Sequence, residues 1–226
     1  MNLIFIPMLI GHFVADFWLQ PASWVADKNF QKHRSGKLLL HSFIASVLPV
    51  LFTFNLKCWW FFLVIFVTHY FCDWFKSLKK ENLFWFLFDQ IVHVLVILAL
   101  SQSVLGCVFS QPIIYYLVLV LAFIVASTPA GIFTDLFLNQ VIKKEKKENK
   151  LDASAWIGII ERMLIIGFIL AGEFQAIGFL IAAKSVFRFN DIQKGESKKA
   201  EYFLLGTLVS FAIAIGIGMG IKFMIY

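Results

Sequence analysis

The stretch from Leu83 to Ser101 offers water almost nothing, since only Asp89, Gln90, His93 and the closing Ser101 carry strongly polar side chains. A run of this kind matches the ~20 apolar residues that cross a bilayer as a helix, the form in which every backbone N–H and C=O is bonded within its own segment. Similar runs occur at Leu3–Gln20, Leu38–Phe54, Cys58–Phe75, Ile113–Leu138, Ala153–Ala171, Phe174–Ala183 and Tyr202–Phe223. The chain therefore reads as an all-α, polytopic transmembrane helical bundle of about eight spans. Composition excludes a soluble alternative: 60% of residues are hydrophobic and 15% charged, against about 45–50% and 25% in ordinary soluble domains. The first run has no basic leader and no small-residue cleavage pattern, so it is expected to be a span and not a secretory signal.

Charge sets the expected orientation. All of the 20 basic residues except Lys57, Arg162 and Lys222 fall in alternate loops, at Asp27–Lys37, Lys76–Asn82, Lys143–Lys150 and Lys184–Lys199. By the positive-inside rule these loops face the cytosol and both termini lie outside it. The net charge of +6 is then a topology signal plus attraction to anionic lipid heads, which makes membrane lipids expected partners and nucleic acid an unexpected one. Lys143–Lys150 is a charged run of the sort that joins bundles. The expected organisation is an N-terminal four-helix membrane domain, residues 1–110, and a C-terminal membrane domain of about four helices, residues 111–226.

The polar chemistry sits in the first of these. His12-x-x-x-Asp16, His69-x-x-x-Asp73 and Asp89-x-x-x-His93 each put an imidazole and a carboxylate on one helix face, a turn apart. With His41 they fall at matched depth on four spans, within roughly 15 Å of the cytosolic interface. Intramembrane carboxylates need compensation, and the first four spans hold no Lys or Arg at that depth. Either the carboxylates are protonated or a cation sits among them, and the expectation is a bound cation: neutral His with Asp suits zinc and other first-row divalent metals, and a group of this size could hold two ions. His12, Asp16, His41, His69, Asp73, Asp89 and His93 are the expected ligands, with Asp89 also the candidate general base. Gln20, Ser42, Thr68 and Gln90 are placed to orient them. The alternatives are a proton relay and interhelical hydrogen bonds that simply hold the bundle together.

In the second half, Glu161, Arg162, Lys184 and Arg188 are candidate substrate-binding residues, able to receive an anionic group through forked Arg hydrogen bonds or to pair internally. A kink is expected at Ser127–Gly131, around Pro129. Gly206, Gly216, Gly218 and Gly220 read as close helix packing. Cys58, Cys72 and Cys107 show neither metal-ligand nor redox spacing, although Cys58 and Cys107 fall near external loops where a disulfide could form.

At Gly11-His12-Phe13-Val14-Ala15-Asp16-Phe17-Trp18-Leu19-Gln20, His69-x-x-x-Asp73-Trp74-x-Lys76 and Asp89-Gln90-x-x-His93 the chain resembles a bacterial membrane family known only as a domain of unknown function. Ile157-Gly158-x-x-Glu161-Arg162, Ala182-Ala183-Lys184-Ser185-x-x-Arg188-Phe189 and Glu201-Tyr202-x-x-x-Gly206-Thr207-Leu208 resemble the C-terminal membrane extension that some members carry. The resemblance implies the bacterial cytoplasmic (inner) membrane and brings no activity. A looser similarity, through His-x-x-x-Asp pairs in an all-helical setting, is to zinc-dependent phospholipases C, single-strand nucleases and membrane-bound metal-dependent hydrolases.

The leading expectation is a metal-dependent intramembrane hydrolase, with zinc the favoured ion, acting on a phosphate-containing or lipid-linked substrate. The alternatives are a transporter or channel for protons or divalent cations, and a non-catalytic membrane scaffold.

Overall fold

The computed structural model describes residues 4–103, 111–142, 153–193 and 197–225, which contain no strand. The helices among these residues are α1 (Phe5–Phe17), α2 (Ala22–Gln31), α3 (Gly36–Leu51), α4 (Phe61–Ser77), α5 (Leu83–Gln102), α6 (Gln111–Ala126), α7 (Thr128–Ile142), α8 (Ala153–Ala171), α9 (Phe174–Gln193) and α10 (Ser197–Ile225). Among the described residues, two starts carry a side-chain cap. Ser35 Oγ accepts from the Leu38 amide (3.1 Å) and Asn82 Oδ1 from the Trp85 amide (2.9 Å), giving first-turn N–H groups a side-chain acceptor.

Each expected span falls on helical residues, with Ile113–Leu138 covering both α6 and α7, but length and hydropathy separate them, and α4, expected as the third span, is in neither of the two groups that follow. Four stretches, Leu83–Gln102, Pro112–Ile142, Ser154–Ala171 and Glu201–Met224, are long and apolar enough to cross a membrane. Phe5–Phe17, Gly36–Leu51 and Phe174–Val186 are apolar but shorter; at 1.5 Å per residue α1 reaches only about 20 Å. Just 22% to 33% of each long stretch is buried. The remaining apolar surface faces outward, where lipid is the only fitting solvent, and the chain is a membrane protein.

The chain forms two compact units, Met1–Ile124 and Val125–Tyr226. In the first, α1 packs on α3 and α5, α3 on α4, and α4 on α5, closing a ring of four helices. Their buried faces run in rows of four-residue spacing, the ridge that lies along one helix face. On α4 the row is Phe61, Ile65, His69, Asp73 and Ser77; on α5 it is Asp89, His93, Ile97 and Ser101. Each row is apolar at one end and carries His and Asp at the other. The apolar ends gather in a cluster with Ile4, Met8, Leu9, Cys58 and Leu100, so the polar side chains are left together at the opposite end.

Gly11 fixes how closely α1 approaches α3. A Cβ there would stand 2.7 Å from both Leu48 C and Pro49 N and 2.8 Å from Leu48 O, backbone atoms that cannot swing aside. On α6, Leu117 and Leu121 pack against Ile6 and Ile10 together with Ile124. The first unit therefore extends into α6, past residue 110, and the division falls inside that helix.

In the second unit α10 lies along α7, α8 and α9, around Ile165, Ile169, Ile177, Phe211 and Ala214. The helix breaks at Ser127, just before Thr128-Pro129, where the kink was expected. Two of the four glycines expected at close contacts are at one: a Cβ on Gly206 would meet Leu138 at 3.0 Å and one on Gly218 would meet Ile169 at 2.8 Å. Gly216 and Gly220 face open space, because α10 turns those positions away from its neighbours. The Lys143–Lys150 run and Cys107 lie outside the described residues.

Candidate metal centre

Four helices deliver the polar side chains of the first unit to one buried place: His12 and Asp16 from α1, His41 from α3, His69 and Asp73 from α4, and Asp89 and His93 from α5. Asp16, with its side chain 8% exposed, is the most open of them. It is also their hub. Its Oδ1 lies 3.5 Å from His41 Nε2 and 3.5 Å from His69 Nε2, and these two nitrogens are 3.0 Å apart. Its Oδ2 lies 3.7 Å from His12 Nε2 and accepts a hydrogen bond from Gln90 Nε2 at 3.3 Å. The His69 and His93 rings stack at 4.0 Å, and His12 meets His93 edge-on at 5.1 Å.

The donor set passes a geometric test for a divalent ion. Ligand atoms held 2.0–2.1 Å from a tetrahedral zinc stand about 3.3 Å apart, and the Asp16–His41–His69 triangle has edges of 3.0, 3.5 and 3.5 Å. Asp73 Oδ2, 3.6 Å from His41 Nε2, borders the same space. The hydrogen bonding agrees. Asp16 Oδ1, His12 Nε2, His41 Nδ1, His69 Nδ1 and both ring nitrogens of His93 are buried without a hydrogen-bond partner among the described residues. Buried polar atoms are rarely left unpaired, so this layer could take a further ligand; within the triangle itself only Asp16 Oδ1 lacks a partner, since His41 Nε2 and His69 Nε2 stand at hydrogen-bond distance of each other.

One expectation is corrected. The carboxylates do not rely on a cation alone, because two lysines reach the layer. Lys28 Nζ lies 2.5 Å from Asp73 Oδ2, and Lys76 Nζ lies 2.6 Å from Asp89 Oδ2. Lys28 was expected in a solvated loop, but residues 22–31 form the short helix α2, which carries it into the protein until it is itself buried. Lys32, just beyond, donates to the Ser77 carbonyl at the end of α4. Lys76 was expected in the cytosolic loop Lys76–Asn82. It sits in the last turn of α4, where the Cα–Cβ bond tilts toward the helix N-terminus and aims the stem back at the carboxylates. Two of the three aspartates are thus paired. Asp16 has no lysine or arginine at ion-pair distance among the described residues; its partners are His12, His41, His69 and Gln90.

Of the residues expected to orient the site, Gln90 does so, donating to Asp16 Oδ2 and, at 3.2 Å, to Asp89 Oδ2. Gln20 Nε2 is buried without a partner. Ser42 and Thr68 bond carbonyls of their own helices instead, Leu38 in one case and Val64 and Ile65 in the other. Sequence reasoning also passed over Cys72, whose Sγ lies 3.5 Å from Asp89 Oδ1. The signal was its place beside Asp73, one position off the buried row.

The second-unit residues form a separate set. Arg162 donates to the carbonyls of Ala126 and Ser127 and to Ser210 Oγ, the last at 3.0 Å. It caps the end of α6 at the helix break, where carbonyls lose their intrahelical partners. Lys184 pairs with Glu161. The Arg188 side chain lies outside the described residues.

Residues 4–121 match the family described as "Protein of unknown function (DUF3307)", more than half of the chain, and the chain belongs to that family. No curated protein and no solved structure matches it.

Proposed function

For this member of a family without an assigned activity, we propose that the first unit is a metal-dependent hydrolase built inside a helical membrane bundle. Asp16, His41 and His69 hold a divalent ion, zinc by the nature of the donors, and His12 stands beside them at the second oxygen of Asp16. The observation that carries this reading is the Asp16–His41–His69 triangle at the ligand spacing of a single ion, with its carboxylate oxygen otherwise unbonded. A bound ion of this class lowers the pKa of its water toward about 7.

The protein's own groups supply the rest. Asp73, whose Oδ2 lies 3.6 Å from His41 Nε2 and accepts from Lys28, would be the carboxylate placed to take a proton from a water that such an ion activates. Asp89, expected as the base, has one oxygen occupied by Lys76 and Gln90. Lys28 and Lys76 place positive charge beside the site, where an anionic phosphate would meet it. In the second unit Arg162 is engaged by carbonyls, so these lysines are better placed for that task. We extend the reading to the whole chain: all eight apolar segments cross a bacterial inner membrane, the shorter ones by locally thinning it, with the basic loops cytosolic and both termini outside.

The test is elemental analysis of the full chain purified in detergent. About one equivalent or more of zinc is expected, falling several-fold in Asp16→Ala and His69→Ala, together with metal-dependent release of phosphate or alcohol from lipid-linked phosphoesters. Zinc below about 0.2 equivalents in the unaltered chain overturns the proposal.

A proton or cation path is the competing reading. In its favour the imidazoles form a continuous series, His41 to His69 at 5.0 Å, His69 to His93 at 4.0 Å and His93 to His12 at 5.1 Å. Against it stands the apolar cluster of Met8, Phe61, Ile65 and Ile97, which fills the bundle beyond the histidines. Cation uptake into liposomes that disappears in His12→Ala would decide for transport.

A further inference from the structure

Beside the triangle lies a second group of ligand atoms, and it includes a sulfur. The atoms of Cys72, Asp89 and His93 lie within 4.8 Å of one another. Cys72 Sγ is 3.5 Å from Asp89 Oδ1, and His93 Nδ1 is 3.9 Å from the same oxygen. A tetrahedral zinc with its sulfur at about 2.3 Å and its oxygen and nitrogen at about 2.0–2.2 Å requires an S···O separation of about 3.5 Å and an N···O separation of about 3.4 Å. The S···O edge of 3.5 Å already meets this, while the 3.9 Å N···O edge must close by about half an ångström and the sulfur and the imidazole must draw in from within 4.8 Å.

Three features separate this group from a chance cluster. His93 is 3% exposed, and neither of its ring nitrogens has a hydrogen-bond partner among the described residues. Asp89 divides its oxygens: Oδ2 accepts from Lys76 and Gln90, while Oδ1 is left facing the sulfur and the imidazole. That arrangement is how donors outside a metal's own ligands fix a carboxylate with one oxygen presented inward. Lys76 also supplies the positive charge that two anionic ligands in a buried site require.

We propose that Cys72, Asp89 and His93 form a second divalent-metal site, making the centre dinuclear with one thiolate-bearing ion beside the ion on Asp16, His41 and His69. The proposal rests on the metal reading above. Without the ion, the Cys72 thiol donates to Asp89 Oδ1; on binding, the S–H proton leaves to solvent and the sulfur lone pair is given to the metal. A thiolate ligand favours zinc, cobalt or another thiophilic ion over magnesium or calcium, which take oxygen.

The experiment is a cobalt(II) titration of the full chain in detergent after metal removal. Expected are about two equivalents bound and a thiolate-to-cobalt charge-transfer band in the near ultraviolet. Cys72→Ser should lose the band and about one equivalent, Cys58→Ser should keep both, and His41→Ala should lose an equivalent while keeping the band. A band that survives Cys72→Ser overturns the proposal. One equivalent without a band overturns it and leaves the Asp16 ion standing; no cobalt at all overturns both. Independently of any variant, cobalt should slow maleimide labelling of Cys72 in the unaltered chain by at least about tenfold, since a ligated thiolate is not free to react. Unchanged labelling in the presence of cobalt also overturns the proposal.

Discussion

Asp73 shows what a single residue in this layer costs and who compensates it. Its carboxylate is 5% exposed, and Lys28 is its closest cationic partner. Removing one member of a buried ion pair leaves the other charge unpaired, typically at about 3–5 kcal/mol. Lys28→Met should therefore lower the thermal midpoint of the detergent-solubilised chain by several degrees, and Lys28→Met with Asp73→Leu should recover most of that loss. If Lys28→Met melts like the unaltered chain, the pair contributes nothing. That the paired His and Asp residues would come together was readable from spacing, because a His and an Asp four apart share a helix face; His41, outside any pair, was placed by its depth in the span. The lysine partners were not readable, since positive charge near a span end has an ordinary explanation at the interface, and spacing says nothing of how far a four-carbon stem reaches.

At the scale of elements, the four-residue rows were legible and the short helix was not. The row Phe61, Ile65, His69, Asp73 announces one buried face of α4 by its repeat. α2 is polar overall and brief, and it follows Pro21, so nothing in its pattern distinguishes it from a loop. What determines its helicity is the set of contacts it makes: Lys28 on Asp73, and Asp27 accepting from Ser35 Oγ at 2.5 Å. The α1–α3 contact carries a sharper consequence. Gly11 adjoins His12 and touches backbone on α3, so Gly11→Ala must push the helices apart where His12 and Asp16 face His41. Overpacking of this kind costs about 1–3 kcal/mol. The expected outcome is reduced zinc content with every ligand still present, read by elemental analysis; zinc equal to that of the unaltered chain would show that α1 absorbs the methyl elsewhere.

For the whole molecule, the family match ends at residue 121 and the first compact unit at Ile124. The unit that carries the His and Asp residues is thus the part shared with the family. That boundary could not be read in advance, because the leucines of α6 look the same whichever partner they pack on. The number of spans was blurred for a related reason: apolar runs give the hydropathy of a segment, while capping and turns decide how many residues are actually helical. If an ion on Asp16, His41 and His69 holds three helices of the ring together, removing it should loosen the whole unit. A ligand at 100 times its dissociation constant contributes about 2.7 kcal/mol to stability, so stripping zinc with a chelator should lower the melting temperature, and re-adding zinc should restore it. A melting temperature insensitive to both would argue that the imidazoles are bonded some other way.

The dry cluster at the far end of the four-helix ring also makes the site a blind alley. With Met8, Phe61, Ile65 and Ile97 packed at that end, a ligand of the proposed centre is expected to enter and leave from the opposite end, where Lys28 and Lys76 lie. In sealed vesicles a membrane-impermeant chelator should then strip the ion from one side only, and that side identifies the compartment the protein serves.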